Sequence, residues 1–240
     1  MKRGVYIGTS GWVYPHWIDN FYPADLPQNK WLSFYAQYFP TVEINATFYH
    51  QMRSKTFANW QKQVGKNFVF SVKVSRFITH ILRLKNLGRD GVAYFESVNK
   101  LLNKPLFLFQ LPPSFKKNKE RLEFFLSLLP KGRFAFEFRH PSWFANEIYG
   151  ILSKHNISLV IADSPSFPKV EEVTADFVYL RFHGSGSLYS SCYTENELEN
   201  WSKKINKWVK EGKEVYAYFN NDVSGFAIKN AQTLRKILNL

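Results

Sequence analysis

The sequence predicts an α/β fold, a single (β/α)8 TIM-like barrel with parallel strands that spans residues 1–240. Eight short runs rich in Val, Ile, Phe and Tyr alternate with stretches of helical period. The chain has 240 residues, which is close to the ~250 residues typical of such a barrel. The segment after the first strand, Gly8-Thr9-Ser10-Gly11, lacks the glycine fingerprint of dinucleotide-binding open sheets.

Each predicted strand is a short apolar or alternating run between turn residues. In chain order the strands are Val5–Gly8, Thr41–Tyr49, Phe68–Ser75, Leu106–Leu111, Phe134–Arg139, Ser158–Asp163, Phe177–Gly184 and Glu214–Asn221. Apolar spacing predicts helices near Asn29–Phe39, Ser54–Val64, Asp90–Asn103, Lys119–Leu129, Ser142–His155, Thr194–Glu211 and Ser224–Leu240. Ser142 is a candidate N-cap, and Thr194 begins a capping box. The polar segment between the sixth and seventh strands predicts no helix.

Composition and charge restrict the classes of partner. Lys and Arg number 32 against 19 Asp and Glu, a net charge of +13, which favours an anionic partner such as nucleic acid or a phosphate-bearing small molecule. The single cysteine, Cys192, excludes an intramolecular disulfide and favours a cytoplasmic location. The apolar run Val5–Ile7 is too short for a signal peptide, and no run is long enough to span a membrane. We therefore expect no membrane partner.

Alternation along the strands predicts a polar barrel interior. Phe134, Phe136 and Phe138 share the face that packs on helices, so Glu137 and Arg139 point inward. The same rule places other polar side chains inside, namely Glu43, Asn45, Thr47, Ser71, Lys73, Gln110, Asp163, Arg181, His183, Tyr218 and Asn220. Because an unpaired buried charge is costly, we expect Glu137 and Arg139 each to meet an opposite charge from another strand. Such a lumen is either a self-satisfied ion network, a ligand site, or both.

Six compound motifs run along the chain: Gly8-Thr9-Ser10-Gly11-Trp12, Thr41 to Tyr49, Gln110-Leu111-Pro112-Pro113, Glu137-Phe138-Arg139-His140, Arg181-Phe182-His183-Gly184 and Tyr218-Phe219-Asn220-Asn221-Asp222. Together they resemble the motifs of the YecE-like proteins, a family of unknown function. The resemblance extends over essentially the whole chain. It implies a TIM-barrel-like fold, in agreement with the number of strands, and it implies no activity.

The candidate catalytic residues lie toward the carboxyl ends of the strands, where this fold places its active sites. They are Glu43, Lys73, Glu137, Arg139, Asp163 and His183. Four of them, Glu43, Glu137, Asp163 and His183, are residue types that bind divalent metals. Three cations in the same lumen would repel a metal, so we assign no metal ligand and leave the cofactor open.

The loops after the seventh and eighth strands hold phosphate in many barrels. Here they read Gly184-Ser185-Gly186-Ser187 and Asn220-Asn221-Asp222, and we expect their backbone N–H groups to bind an anion, with Arg181 adding a bidentate contact. The alternative is that these glycines only permit tight turns. The predicted ligand-binding residues are Trp12, Asn45, Tyr49, His80, Arg181, Gly184, Ser185, Gly186, Tyr189, Tyr193, Asn220 and Asn221.

Three functions follow from these features. The first is an enzyme acting on a phosphate-bearing ligand, including hydrolysis of a nucleic-acid phosphodiester, with Glu137 or Glu43 as the base. The second is a non-catalytic nucleic-acid or nucleotide-binding module that uses basic residues after the third strand, such as Arg76 and Arg83. The third is a sugar-phosphate isomerase or lyase with Lys73 as the acid/base group or as an imine-forming amine.

Overall fold

Eight parallel strands form a nearly closed barrel in the computed structural model, which describes residues 4–240. The strands are β1 (Val5–Thr9), β2 (Thr41–Ile44), β3 (Val69–Lys73), β4 (Leu106–Gln110), β5 (Arg133–Glu137), β6 (Ser158–Asp163), β7 (Phe177–Phe182) and β8 (Glu214–Phe219). Hydrogen bonds connect them in the order β1-β8-β7-β6-β5-β4-β3-β2. The predicted barrel is therefore confirmed.

Helices surround the strands and bury their outer face. They are α1 (Trp31–Tyr38), α2 (Ala46–Tyr49), α3 (Ser54–Lys62), α4 (Gly88–Leu101), α5 (Lys119–Ser127), α6 (Asn146–Lys154), α7 (Glu195–Lys210) and α8 (Phe226–Ile237). The core has two layers, as the alternation predicts. Phe134, Phe136 and Phe138 pack outward among the helices, whereas Ala135 packs inside with Tyr179 and other lumen residues. No helix in residues 4–240 is long and apolar enough to cross a membrane.

The barrel closes between β1 and β2 through few backbone contacts. One bridge joins Ser10 to Glu43, and Gly11 N donates to Glu43 O at 2.8 Å. Beside it, the Tyr35 phenol from α1 accepts from Thr9 N at 2.9 Å and donates to Thr41 O at 3.1 Å. A phenol thus connects two backbone groups that a regular ladder would pair directly. We call this region the β1/β2 seam.

Most predicted boundaries agree with the structure to within a few residues, and two differ by more. The predicted second strand continues to Tyr49, but β2 ends at Ile44 and Ala46–Tyr49 is helical. The Thr47 hydroxyl donates to the backbone O of Ile44 and of Lys73, which holds this turn against β3. The helix predicted from Ser142 begins at Asn146, after a short 3-10 turn.

Two other local predictions are confirmed. The Thr194 capping box is present at the start of α7, where the Thr194 side chain accepts from Glu197 N and the Glu197 side chain accepts from Thr194 N. The segment between β6 and β7 contains no helix.

Candidate functional site

Arg181 of β7 lies at the centre of the charged lumen. Its Nε and Nη2 donate to the two carboxylate oxygens of Glu43 at 3.0 and 2.7 Å, while Nη1 donates to Glu137 Oε2 at 2.5 Å. All three side chains are fully buried. Because strands β2, β5 and β7 each supply one charge, this triad holds three sectors of the barrel together. It also confirms that Glu137 finds an opposite charge from another strand.

Each of the two carboxylates accepts further hydrogen bonds besides those from Arg181. Ser10 Oγ and Tyr179 OH donate to Glu43 at 2.8 and 2.7 Å. Arg139 Nε donates to Glu137 Oε1 at 2.7 Å. The partner of Arg139 thus lies two residues away on its own segment, so the prediction of a partner from another strand is wrong for Arg139. Because β5 ends at Glu137, Arg139 lies outside the sheet, and its side chain turns back to the carboxylate of Glu137.

The carboxylates stay ionised despite their burial. Desolvation is the largest single influence and raises the pKa of both, but the combined effect of Arg181 with Lys73 at Glu43, and of Arg181 with Arg139 at Glu137, outweighs it. The pKa of Glu43 is therefore lowered, and that of Glu137 lies well below its usual range. Carboxylates held this firmly in the ionised form are weak proton acceptors.

Lys73 provides a third cation without a matching carboxylate. Its Nζ lies 4.3 Å from the centre of the Phe48 ring, and no ion pair of this ammonium occurs within the described chain. Burial, followed by repulsion from Arg181, lowers the pKa of Lys73 to about 7. The mouth of the barrel, at the carboxyl ends of the strands, therefore holds two arginines that balance two carboxylates, and beside them an amine that is about half protonated at pH 7.

His183 presents an unused donor next to this network. It is fully buried, and its Nδ1 lies 3.2 Å from Asn220 Nδ2, which donates to it. This contact assigns the ring proton to Nε2, which has no hydrogen-bond partner and lies 3.8 Å from Glu137 Oε2. Burial lowers the pKa of His183, so the ring is neutral. An orphaned buried donor is the kind of group that a ligand completes.

Phe167 covers this corner of the mouth. The Arg139 guanidinium lies 4.0 Å from the centre of the Phe167 ring, and the same ring packs edge-on against His183 at 5.9 Å. The hydrogen bond to Glu137 uses only Nε of Arg139, so its two Nη atoms remain as donors toward the mouth. Sequence reasoning missed Phe167 because it lies in a segment without periodicity.

The lowered pKa of His80 shows that the electrostatic potential at the mouth is positive. Its Nδ1 lies 2.9 Å from Thr79 Oγ1, and its pKa is lowered to about 4. Burial is the largest cause, followed by repulsion from Lys73, Arg139, Arg76 and Arg83. His80 is thus neutral at pH 7 and has no proton to donate as a general acid. The potential around it is positive.

Asp163 does not point into the lumen as predicted. Its carboxylate accepts from Lys169 Nζ at 2.8 Å and from Trp201 Nε1 of α7 at 3.1 Å, on the outer side of the barrel. On β6 the side chain of Val160 points inward, and side chains alternate along a strand, so Asp163, three residues later, points outward. The four candidate metal-binding side chains therefore do not meet. No cluster of three or more metal-ligating side chains occurs in residues 4–240.

The expected anion cradle after β7 is occupied by the protein's own groups. Gly184 N donates to Tyr193 OH, and the N–H groups of Gly186 and Ser187 donate to Ser191 Oγ, all at 3.1 Å. Gly184 has a φ of 106°, and a Cβ there would lie 2.4 Å from Ser187 O, so a tight turn requires this glycine. In this conformation the loop offers few free donors to a phosphate.

Other predicted ligand-binding residues have structural roles. Trp12 is buried edge-on against Trp60, and Tyr193 packs against Phe182. Asn221 donates to Ser191 O and to Asn230, which fixes the loop after β7. Asn45 lies at the start of α2 rather than in a strand, and its buried Oδ1 has no partner.

The remaining predicted residues stay near the mouth. The side chain of Ser185 contacts Glu197, and the ring of Tyr189 packs edge-on against His183 at 5.4 Å. Tyr49 is the predicted aromatic with the clearest exposure. The structure thus brings Glu43, Glu137, Arg139, Arg181 and His183 into one network with Lys73 beside it.

The sequence profile of the family described as "Protein of unknown function DUF72" matches residues 6–240. The chain belongs to the DUF72 family. It is 27% identical to the UPF0759 protein YunF of Bacillus subtilis (strain 168), over 98% of this chain and 95% of YunF. The crystal structure of a DUF72 family protein from Thermotoga maritima MSB8 is similar, with 31% identity, a TM-score of 0.87, and 98% and 99% of the two chains covered.

A second DUF72 structure, from Enterococcus faecalis V583, is 26% identical with a TM-score of 0.75, and 98% of each chain is covered. The expectation of a barrel family of unknown function is therefore confirmed, and the family that the comparisons show is DUF72. The names of these three relatives state no reaction.

Proposed function

We propose that this DUF72 barrel binds a phosphate-bearing ligand at its mouth, as a sugar-phosphate isomerase or lyase does. Lys73 is the amine that transfers a proton to and from this ligand or condenses with its carbonyl group to form an imine. The observation that carries the proposal is the surplus of positive charge in a mostly buried network. Arg139 and Arg181 balance the charges of the two carboxylates. The protonated form of Lys73 adds a positive charge that has no ion-pair partner in the described chain. An anion is the partner that such a network lacks.

Donors suited to a phosphate converge on this mouth from three strands. Lys73, the last residue of β3, provides Nζ. Arg139, just after β5, provides its two unused Nη atoms, and His183, just after β7, provides Nε2. Phosphate oxygens accept several hydrogen bonds at once, and pairs between charged groups are roughly twice as strong as neutral ones. A bound phosphate would neutralise the charge of protonated Lys73, and a movement of Phe167 would let it accept from the buried His183 Nε2.

Lys73 is a better acid/base candidate than either glutamate. Glu43 and Glu137 have lowered pKa values, and their lone pairs already accept from arginine, serine and tyrosine donors. An amine with a pKa of about 7 is present in both protonation states at neutral pH, the condition that favours proton transfer. The neutral form is also the nucleophile that condenses with a carbonyl group.

Inorganic phosphate is expected to stabilise the protein, and Lys73→Met is expected to remove most of this effect. At ten times its Kd, phosphate adds roughly 1.4 kcal/mol to the free energy of unfolding. Without phosphate at pH 7, the variant should be about 1–2 kcal/mol more stable than the wild type, because an unpaired cation is no longer buried. Unfolding temperatures measured against phosphate, with sodium chloride matched for ionic strength, test both statements.

The pH dependence of stability has a definite sign. Between about pH 7 and the usual lysine pKa of ~10.4, the unfolded chain binds more protons at Lys73 than the folded chain does. Wild-type stability should therefore gain a contribution as the pH rises through this window, and Lys73→Met should lack it. Lys104→Met, at the opposite end of the barrel, is the control and should change neither property. Equal stabilisation of the wild type and Lys73→Met by phosphate would refute the proposed site.

Selective labelling tests the amine itself. At pH 7 about half of Lys73 is neutral, whereas fewer than about one in a thousand ordinary lysine side chains are. A phosphate-bearing aldehyde with cyanoborohydride should therefore modify Lys73 first, as shown by peptide mass mapping, and inorganic phosphate should slow the reaction. Labelling spread evenly over the exposed lysines would contradict the role of Lys73.

A further inference from the structure

Three large apolar side chains remain exposed on the rim next to the mouth. Tyr49 in α2 is 65% exposed, and Phe77 and Ile81, one helical turn apart after β3, are 54% and 61% exposed. Together with Arg76 and Arg83 they form what we call the rim patch. Apolar side chains grouped in this way beside a candidate site mark a surface that contacts another molecule.

The same rim is strongly basic. The segment 74–89 contains Arg76, Arg83, Lys85 and Arg89 and no acidic residue. Arg83 is held in place, since its Nη2 donates to Ser114 Oγ at 3.2 Å and its Nε to His80 O at 3.4 Å. Guanidinium groups near exposed aromatic rings suit a partner that carries both phosphates and flat faces.

Ring contacts connect the rim patch to the mouth. Phe48 packs edge-on against Tyr49 at 5.0 Å and against His80 at 5.1 Å, and its ring also contacts Lys73 Nζ. The positive potential that acts on His80 comes from Lys73 in the mouth and from Arg76 and Arg83 on the rim. A polyanion on the rim would therefore meet one continuous positive surface that ends at Lys73.

We infer that the rim patch docks single-stranded nucleic acid, with bases stacked on Tyr49 and Phe77 and phosphates on Arg76 and Arg83. The inference rests on the proposed function in one respect, because the docked strand would supply the phosphate that the mouth takes. A single strand fits better than a duplex, since stacking on protein rings needs bases whose faces are free. The exposed aromatic rings beside the arginines favour a partner with bases that can stack. A partner held by charge alone would need no rings.

The test is a fluorescence-anisotropy titration with a labelled single strand of roughly 12 nucleotides at several salt concentrations. The logarithm of the wild-type affinity should fall linearly with the logarithm of salt concentration, by about 0.7 for each phosphate bound. Arg76→Ala with Arg83→Ala should reduce the slope by about 0.7 for each arginine–phosphate pair that is removed. Tyr49→Ala and Phe77→Ala should each weaken binding about tenfold with the slope unchanged, because stacking releases few ions.

A matched control is available at the other end of the barrel. Lys100→Ala with Lys104→Ala removes the same charge from a basic cleft before β4, and it should leave binding unchanged. Equal losses from the two double variants would show nonspecific attraction and overturn the inference. So would equal affinity for a duplex of the same length, or no binding at the lowest salt. Phosphate stabilisation and Lys73 labelling are measured without any strand, so the docking can fail while the proposed function stands.

Discussion

Arg181→Met is expected to destabilise the protein by roughly 3–5 kcal/mol, the loss found when one partner of a buried ion pair is removed. Arg181 makes three hydrogen bonds to Glu43 and Glu137, and all three side chains are buried. Met fills a similar volume, so the loss measures charge more than packing. Two carboxylates would then share one lumen, and the charged groups left to stabilise them would be Arg139 and Lys73.

The loss should depend on pH in a way that identifies its cause. In the wild type both glutamates have a lowered pKa, so their contribution is present above the unfolded-state value of ~4.3 and is lost as the pH falls through the folded values. In Arg181→Met burial dominates and raises these pKa values, so the variant loses stability as the pH rises. The gap in the free energy of unfolding should widen as the pH rises from the lowered pKa values of the wild type to the raised ones of the variant, so it should be larger at pH 7 than at pH 4.

Denaturant unfolding at several pH values measures this gap. Arg139→Met is the comparison, because Glu137 would still be paired with Arg181, and its loss should be clearly smaller. A gap that stays constant across the pH range would mean that Arg181 acts through packing, and the electrostatic account of the network would be wrong.

The charged network is the part of the site that the sequence predicts well. Phe134 and Phe136 of β5, with Phe138 just after it, require an apolar outer face, and this fixes which side chains point inward and leaves Glu137 inside. Asp163 fails the same argument because β6 is apolar on both faces, with Leu159 and Ile161 outward and Val160 inward. When both faces of a strand are apolar, the sequence does not show which side chains point into the barrel.

Local pattern fails where distant contacts decide the structure. Residues 45–49 continue the alternation of β2, but the hydroxyl of Thr47 bonds to the backbone of Lys73, 26 residues away, and a helical turn forms instead. Similarly, the glycines after β7 resemble a phosphate loop, and only the position of Ser191 shows that their N–H groups are already used. Neither interaction leaves a periodic signal in the sequence.

Gly8→Ala is expected to destabilise the protein by about 3 kcal/mol or more, because an added Cβ has no space in the β1/β2 seam. A Cβ at Gly8 would lie 2.1 Å from Thr41 O and 2.9 Å from the Tyr35 hydroxyl. Thr41 O belongs to the backbone of β2, so relief requires the two strands to separate. The separation would break the few backbone contacts that close the barrel, and the Ser10–Glu43 hydrogen bond lies immediately beside them.

The substitution therefore links barrel closure to the charged network. Thermal unfolding of Gly8→Ala should show the loss, and Gly150→Ala is the matched control, since the site in α6 has no atoms near the added Cβ. There the extra methyl group should stabilise the helix by about 0.5–1 kcal/mol. If Gly8→Ala unfolds at the wild-type temperature, β1 and β2 can part without loss, and the seam does not position Glu43 for Arg181.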